Sequence, residues 1–347
     1  MRPTCPYIAA ALLLALAACD IPTEAPILEQ RWVVPVENTT IPVGDFLPDD
    51  VLEAGGVFRV EVDPFTTRLT LAEMCSVCVA LDGQVFPKPG FTTQFQESQE
   101  LPGDVVGLAV SSGQLQLDIR NTLGFDPIRP GGDPGTMTLS LRDGIGGPVV
   151  ASVVLDGADD ALPDGSTTTT SMDLAGVEVG GTVELLVEVT SPAGDPIQID
   201  SDGALEVDAT TGTVDASSAT VEATGRTVDI DRVEVDVEDV DEVIRDRIED
   251  GTLLLEIQNP FGVAASGTLV IDYGSGDLTK PLSIASGGST TSEIDYTGDE
   301  LRTFLGQSSV ALTGSATVDA GSGAISVAPG QELEIEGNLA VTIRIGG

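Results

Sequence analysis

One build recurs along this chain. "AGGVFRVEVDPF" (54–65), "SSGQLQLDIRNTLGF" (111–125) and "DGTLLLEIQNPFGVAASGTL" (250–269) each place alternating apolar residues after a glycine and then break. The apolar positions are Phe58, Val60 and Val62; Leu115, Leu117 and Ile119; and Leu253, Leu255 and Ile257. A period of two puts these side chains on one face of an extended strand, so each copy is expected to be half-buried. With 40 glycines, few helix-favouring runs and pervasive Val/Ile/Thr alternation, the whole chain is expected to be all-β.

A short helix is expected ahead of each copy, in "FLPDDVLEAGG", "ELPGDVVGLAVSSG" and "VEDVDEVIRDRIEDG". In the third, Val240, Val243/Ile244 and Arg247/Ile248 follow helical spacing, Asp239 or Asp241 suits the cap, and Gly251 suits the close. The last two copies go on matching. "GTMTLSLRDGIGGPVVAS" parallels "GTLVIDYGSGDLTKPLS", and "DGSTTTTSMDLAG" parallels "GGSTTSEIDYTG". "GTVDASSATVEATGRTVDIDRVEVDV" parallels "ATVDAGSGAISVAPGQELEIEGNLAVTI". Matching over this range points to internal duplication: two β-sandwich domains, 110–238 and 239–347, behind an N-terminal β region at 31–109.

Residues 253–319 resemble the late-embryogenesis-abundant type-14, or water-stress-hypersensitivity (WHy), domain. The resemblance rests on a strand ending in Asn259-Pro260, a hairpin, a Ser/Thr strand and the short amphipathic "GDELRTFLG". The 113–190 copy matches more loosely, because Asn121 lacks the following proline and "AGVEVGGTV" is poor helix material. The resemblance implies immunoglobulin-like sandwiches that bind or protect without known catalysis.

The N-terminus, "MRPTCPYIAAALLLALAACD", has a basic residue and then an apolar run too short to span a bilayer. Its Leu16-Ala17-Ala18-Cys19 ending resembles the bacterial lipobox. That implies a signal peptide at 1–18, lipidation of Cys19, and an anchor and linker at 19–30. Several acyl chains would hold the protein firmly, at about 0.8 kcal/mol per buried methylene. The expected location is the cell envelope, with the outer membrane favoured and the leaflet left open. Asp20, which resembles an inner-membrane retention signal of enteric bacteria, is given little weight. Fifteen basic residues against 56 acidic ones give a formal charge of −41, a surface that repels nucleic acid and anionic headgroups.

Missing residues narrow the chemistry. No histidine occurs, which removes Ser-His-Asp and Cys-His catalysis, the His-Glu-x-x-His zinc site and c-type haem attachment. No phosphate-cradling Gly-x-x-x-x-Gly-Lys loop occurs, and "GSGDLTK" (274–280) suits a hairpin turn. Carboxylate-only hydrolysis stays open, since so many acids make some pair inevitable. Cys75 and Cys78 fit three readings: a disulfide-closed turn, a thioredoxin-like redox motif, or half of a metal site. Three residues of extended strand span roughly 10 Å, so a disulfide requires the chain to turn there. Asp156, Asp159, Asp160, Asp164, Asp200 and Asp202 suit turns or, alternatively, calcium.

These residues lead to a non-enzymatic, lipid-anchored envelope protein with no obligatory cofactor. Its expected partners are the membrane, through the acyl chains, and other envelope proteins. A calcium-dependent adhesion or polysaccharide-binding module is the alternative, with a carboxylate-only hydrolase behind it.

Overall fold

Alternation becomes pairing in a computed structural model that describes residues 27–238, 240–319, 321 and 323–345. The signal-peptide, Cys19 and Asp239 expectations lie outside the described residues. The first strands are β1 (Leu28–Pro42), β2 (Val51–Ala54), β3 (Val57–Val60), β4 (Phe65–Thr70), β5 (Val85–Pro87) and β6 (Phe91–Glu100). Next come β7 (Val105–Ser112), β8 (Gln114–Asn121), β9 (Thr136–Asp143), β10 (Val149–Asp156), β11 (Thr167–Asp173) and β12 (Glu178–Gly180). They are followed by β13 (Thr182–Ser191), β14 (Pro196–Gln198), β15 (Ala204–Thr211), β16 (Val214–Glu222), β17 (Thr227–Val235) and β18 (Ile248–Asn259). The last are β19 (Ala265–Asp272), β20 (Asp277–Ile284), β21 (Gly288–Thr297), β22 (Val310–Val318), β23 (Ala324–Val327) and β24 (Glu332–Ile345). Four short helices interrupt them: α1 (Leu71–Met74), α2 (Ser76–Val79), α3 (Glu242–Arg245) and α4 (Gly298–Phe304).

The chain is all-β and builds two sandwiches of identical plan. In the first, one sheet runs β11-β8-β15-β4 and the other β10-β9-β13-β6. In the second, the corresponding sheets run β21-β18-β24-β1 and β20-β19-β22-β17. Counting each unit's strands from one to eight, both have the orders 1-8-3-6 and 2-7-4-5, all antiparallel. That is the double Greek key of a jelly roll. The WHy resemblance implied the immunoglobulin arrangement, whose sheets follow a different order. Composition and alternation are common to both sandwiches, and only the partners distinguish them.

The unit boundaries differ from the expected 31–109, 110–238 and 239–347. Strand β1 is the first strand of the second roll: Leu28 pairs with Ile345 and Trp32 with Val341. The first roll, 65–211, is therefore inserted between the first and second strands of the second. Alternation marks a strand but carries no address for its partner, so this nesting had no local signal. The third matched pair of segments also falls apart, because β17 is a second strand whereas β24 is an eighth. The first two pairs are true equivalents, β9–β10 with β19–β20 and β11 with β21.

A fifth group of strands joins the rolls, in the order β12-β7-β16-β3-β2, with β23 also on β16. The first repeat copy lies here, as β3, and opens no sandwich of its own. "ELPGDVVGLAVSSG", expected as helix, supplies β7. Its Val105, Leu108 and Val110 are buried, and valine favours the pleated surface. "FLPDDVLEAGG", also expected as helix, supplies β2 instead, and the 3-10 turn Val43–Phe46 ends at the first residue of that segment. The third helix forms as α3, where the Asp241 side chain accepts from the Val243 amide at 2.8 Å. Gly251 sits inside β18 instead of closing that helix, and glycine is needed there because a Cβ would meet the Ala340 carbonyl at 2.8 Å.

β3 leads into β4, and β15 into β16, so the joining sheet meets the first roll at the end where β4 begins. It meets the second roll at the Asn259 end, where the Phe46 and Phe261 rings lie 4.5 Å apart. The rolls follow one another head to tail. The first roll's opposite end is left to its loops, and the second roll's opposite end holds the start of β1.

Candidate functional site

Equivalent strands of the two rolls end in the same device. Asn121 closes β8 and is fully buried. Its amide donates to the carbonyls of Phe125 at 2.8 Å and Leu162 at 2.6 Å, and its oxygen accepts from the Leu123 amide at 2.9 Å. Asn259 closes β18 with the same three bonds, to Val263, Ala285 and the Phe261 amide. One asparagine can satisfy a turn's inward-facing donor and acceptors together, which a buried turn requires.

The loops around these clamps are not alike. Residues 122–135 and 157–166 surround Asn121, whereas 260–264 and 285–287 surround Asn259. The first roll adds 71–90 and 192–203 at the same end. Cys75, Cys78 and every aspartate singled out as a calcium candidate lie on this loop end.

The structure places Cys75 between α1 and α2 and Cys78 within α2, bridged, with Cα atoms 5.3 Å apart. Thr70 and Glu73 form a capping box that starts α1. The Leu71 and Ala72 amides then donate to the carbonyls of Gly203 and Ser201, fastening the segment to the 192–203 loop. Both cysteines are buried, and α2 has four residues with no parallel βαβ unit around it. That geometry braces a turn and lacks the exposed thiol of a redox motif.

The aspartates engage backbone amides. Asp156 accepts from Ala158 at 2.9 Å, Asp160 from Asp156 at 3.0 Å, Asp164 from Gly124 at 2.9 Å and Asp200 from Asp202 at 3.1 Å. Asp159 joins the first of these turns through its own backbone amide, which donates to the Asp156 carbonyl. Among the described residues no three His, Cys, Asp or Glu side chains converge to hold a metal ion. Sequence reasoning missed Asp126, which accepts from the amides of Ile128, Arg129 and Leu162 and so organises two loops. Arg129 secures the same loops through the carbonyls of Gly157 and Ala158.

It also missed Lys88, one of two lysines in the chain and only 2% exposed. Its Nζ donates to the Pro192 carbonyl and lies 4.9 Å from the Phe91 ring centre and 5.4 Å from that of Phe125. Two rings and a carbonyl replace water only in part, so burial pushes its pKa down to about 8. The scarcity of lysine was the one signal that could have drawn attention to it.

Above this frame lies a groove of about 610 Å³, lined among others by Asp82, Gly83, Gly124, Gln198 and Asp200. The Ser201 amide donates to Asp82 and holds its carboxyl below the usual carboxylate range. Beside it Val77, Val79, Val85 and Phe86 are exposed. The surface is mostly polar in its floor and apolar on its shoulder. Such a surface can present contacts to a partner, while its floor assembles no nucleophile, base and oxyanion donor.

No family model matches the chain, and no curated protein matches it. Among solved structures, a protein of Parabacteroides distasonis inferred to be secreted is 13% identical, with 92% of this chain and 100% of that one covered and a TM-score of 0.32. The CBM22-1-CBM22-2 tandem domain of Paenibacillus barcinonensis Xyn10C is 11% identical over 88% and 97% of the two chains, with a TM-score of 0.21. The infectious bursal disease virus VP2 subviral particle is 14% identical over 98% and 78%, also at 0.21. Likenesses at TM-scores this low carry neither fold nor function over to this chain.

Proposed function

We propose that this chain is a lipid-anchored envelope protein without catalytic activity, whose two rolls hold a loop-built contact surface away from the bilayer. The observation that carries the reading is the strand path. The first described residue, Ile27, begins at one end of the head-to-tail pair, and the clamped loop end of the first roll lies at the other. A lipobox-like Leu-Ala-Ala-Cys19 stands just ahead of that first residue. No helix among the described residues is long and apolar enough to cross a membrane, so a spanning helix there does not compete with an acyl anchor. The strand β1 alone runs about 50 Å at roughly 3.3 Å per residue, so the spacing is substantial.

Globomycin treatment of cells making the full chain tests the anchor. Unprocessed precursor is expected to accumulate, and Cys19→Ser is expected to give the same block without the drug. Normal processing in both cases sinks the reading.

A further inference from the structure

The start of β1 leaves a run of apolar side chains uncovered. Ile27, Leu28, Trp32 and Val33 are 50%, 57%, 42% and 61% exposed. From Val36 onward β1 reaches the core, with Val36 and Ile41 buried on either side of a register shift, but before Val36 nothing of β1 is fully covered. Directly paired residues of an antiparallel ladder share a face. Leu28 and Trp32 therefore stand on the face of Ile345 and Val341, which continues the core side of the sheet beyond its cover. Val33 stands on the opposite face, across from Ala340. Exposed apolar side chains thus stand on both faces of the ribbon end, with Gln30 between Leu28 and Trp32 on one and Glu29 and Arg31 ahead of Val33 on the other.

We infer that this ribbon end rests in the interfacial layer of a lipid bilayer, with Trp32 as its anchor. The inference rests on the reading that Cys19 carries the lipid. From Cys19 to Ile27 the chain reaches at most about 29 Å when fully extended, so acyl chains in a bilayer keep the ribbon close to its surface. An amphipathic indole is suited to the headgroup level. A second copy is the poorer occupant, since a chain carrying −41 repels its like. Glu29, Gln30 and Arg31 lie between Leu28 and Trp32, so charges of both signs interrupt the apolar residues, and Glu37 follows them. Contact is thus by apolar insertion and not by headgroup charge.

Trp32 is the sole tryptophan, so its emission reads this position alone. The chain from Cys19 onward, with Cys75 and Cys78 bridged, offers one thiol for coupling to a maleimide-headgroup lipid in phosphatidylcholine vesicles. Coupling is expected to shift the emission to the blue and to protect it from aqueous acrylamide several-fold. Quenching by lipids labelled near the headgroup should exceed quenching by lipids labelled at the chain end, equally in low and high salt. Leu28→Ser with Val33→Ser should remove most of the protection. Unchanged acrylamide quenching after coupling overturns the inference. So does a blue shift that grows with protein concentration without vesicles, which would assign the ribbon to a second copy. Because the tether is chemical, this result is independent of the globomycin test: unlipidated Cys19 in cells would sink the anchor while leaving the vesicle outcome readable.

Discussion

The two jelly rolls share eight strand positions and an asparagine clamp, yet they use the clamped end in opposite ways. In the second roll that end is short-looped and covered, with Phe46 of the joining segment against Phe261. In the first it is open, and there the loops lengthen, gain a disulfide and enclose a lysine. The lysines show the same divergence. Lys280 of the second roll pairs with Glu300 at 2.8 Å beside the Tyr296 ring, whereas Lys88 has rings and a carbonyl. A duplicated scaffold keeps what its turns require and varies what no neighbour covers.

The largest effect expected is on the clamps. Asn121→Leu or Asn259→Leu leaves two carbonyls and an amide without partners, a loss on the order of 4 kcal/mol in urea denaturation. Asn121→Leu should cost at least as much, because Leu162 is fully buried and Ala285 is exposed. The reverse order would break the equivalence of the two ends.

Next comes the pH dependence that separates the lysines. Lys88 has a folded pKa of about 8 against 10.5 for an ordinary lysine, so the unfolded chain holds the extra proton between those values. Stability of the first roll should therefore rise as pH climbs from 8 toward 10.5, by at most roughly 3 kcal/mol. Lys88→Met should flatten that slope in denaturation curves taken across the range, and an unchanged slope would assign it elsewhere. Glu300 has the opposite sense. Its carboxyl is held low chiefly by Lys280, so its small contribution is present above its ordinary pKa and fades as pH falls further.

The smallest expected effect is none. Adding calcium or a chelator should leave the melting of both rolls unmoved, because the carboxylates of Asp156, Asp160, Asp164 and Asp200 already accept from backbone amides. A calcium-linked rise confined to the first roll would sharpen the comparison in favour of an adhesive loop end.

Strand identity was legible. Leu115, Leu117 and Ile119 are all buried, as are Leu253, Leu255 and Ile257, because a period of two encodes a face. The internal duplication was legible wherever hairpins repeat. Partner choice was not, since β1 and β24 lie at opposite ends of the chain and nothing local in either names the other. The loop end was half legible: the cysteines and aspartates could be singled out by type, but their roles depended on which amides they meet. Lys88 was illegible because one residue's burial is decided by Phe91, Phe125 and Pro192, which come from three separate segments.

The nesting of one roll inside the other has a consequence for biogenesis. The second unit cannot complete its eight-strand order until the final strand has emerged, because β24 clasps a partner made at the very beginning. The inner roll, whose pairings all fall within 65–211, is free to mature first and to bring the distant ends into reach. Losing the last strand would thus unfasten β1, leaving the inner roll finished and the outer one open.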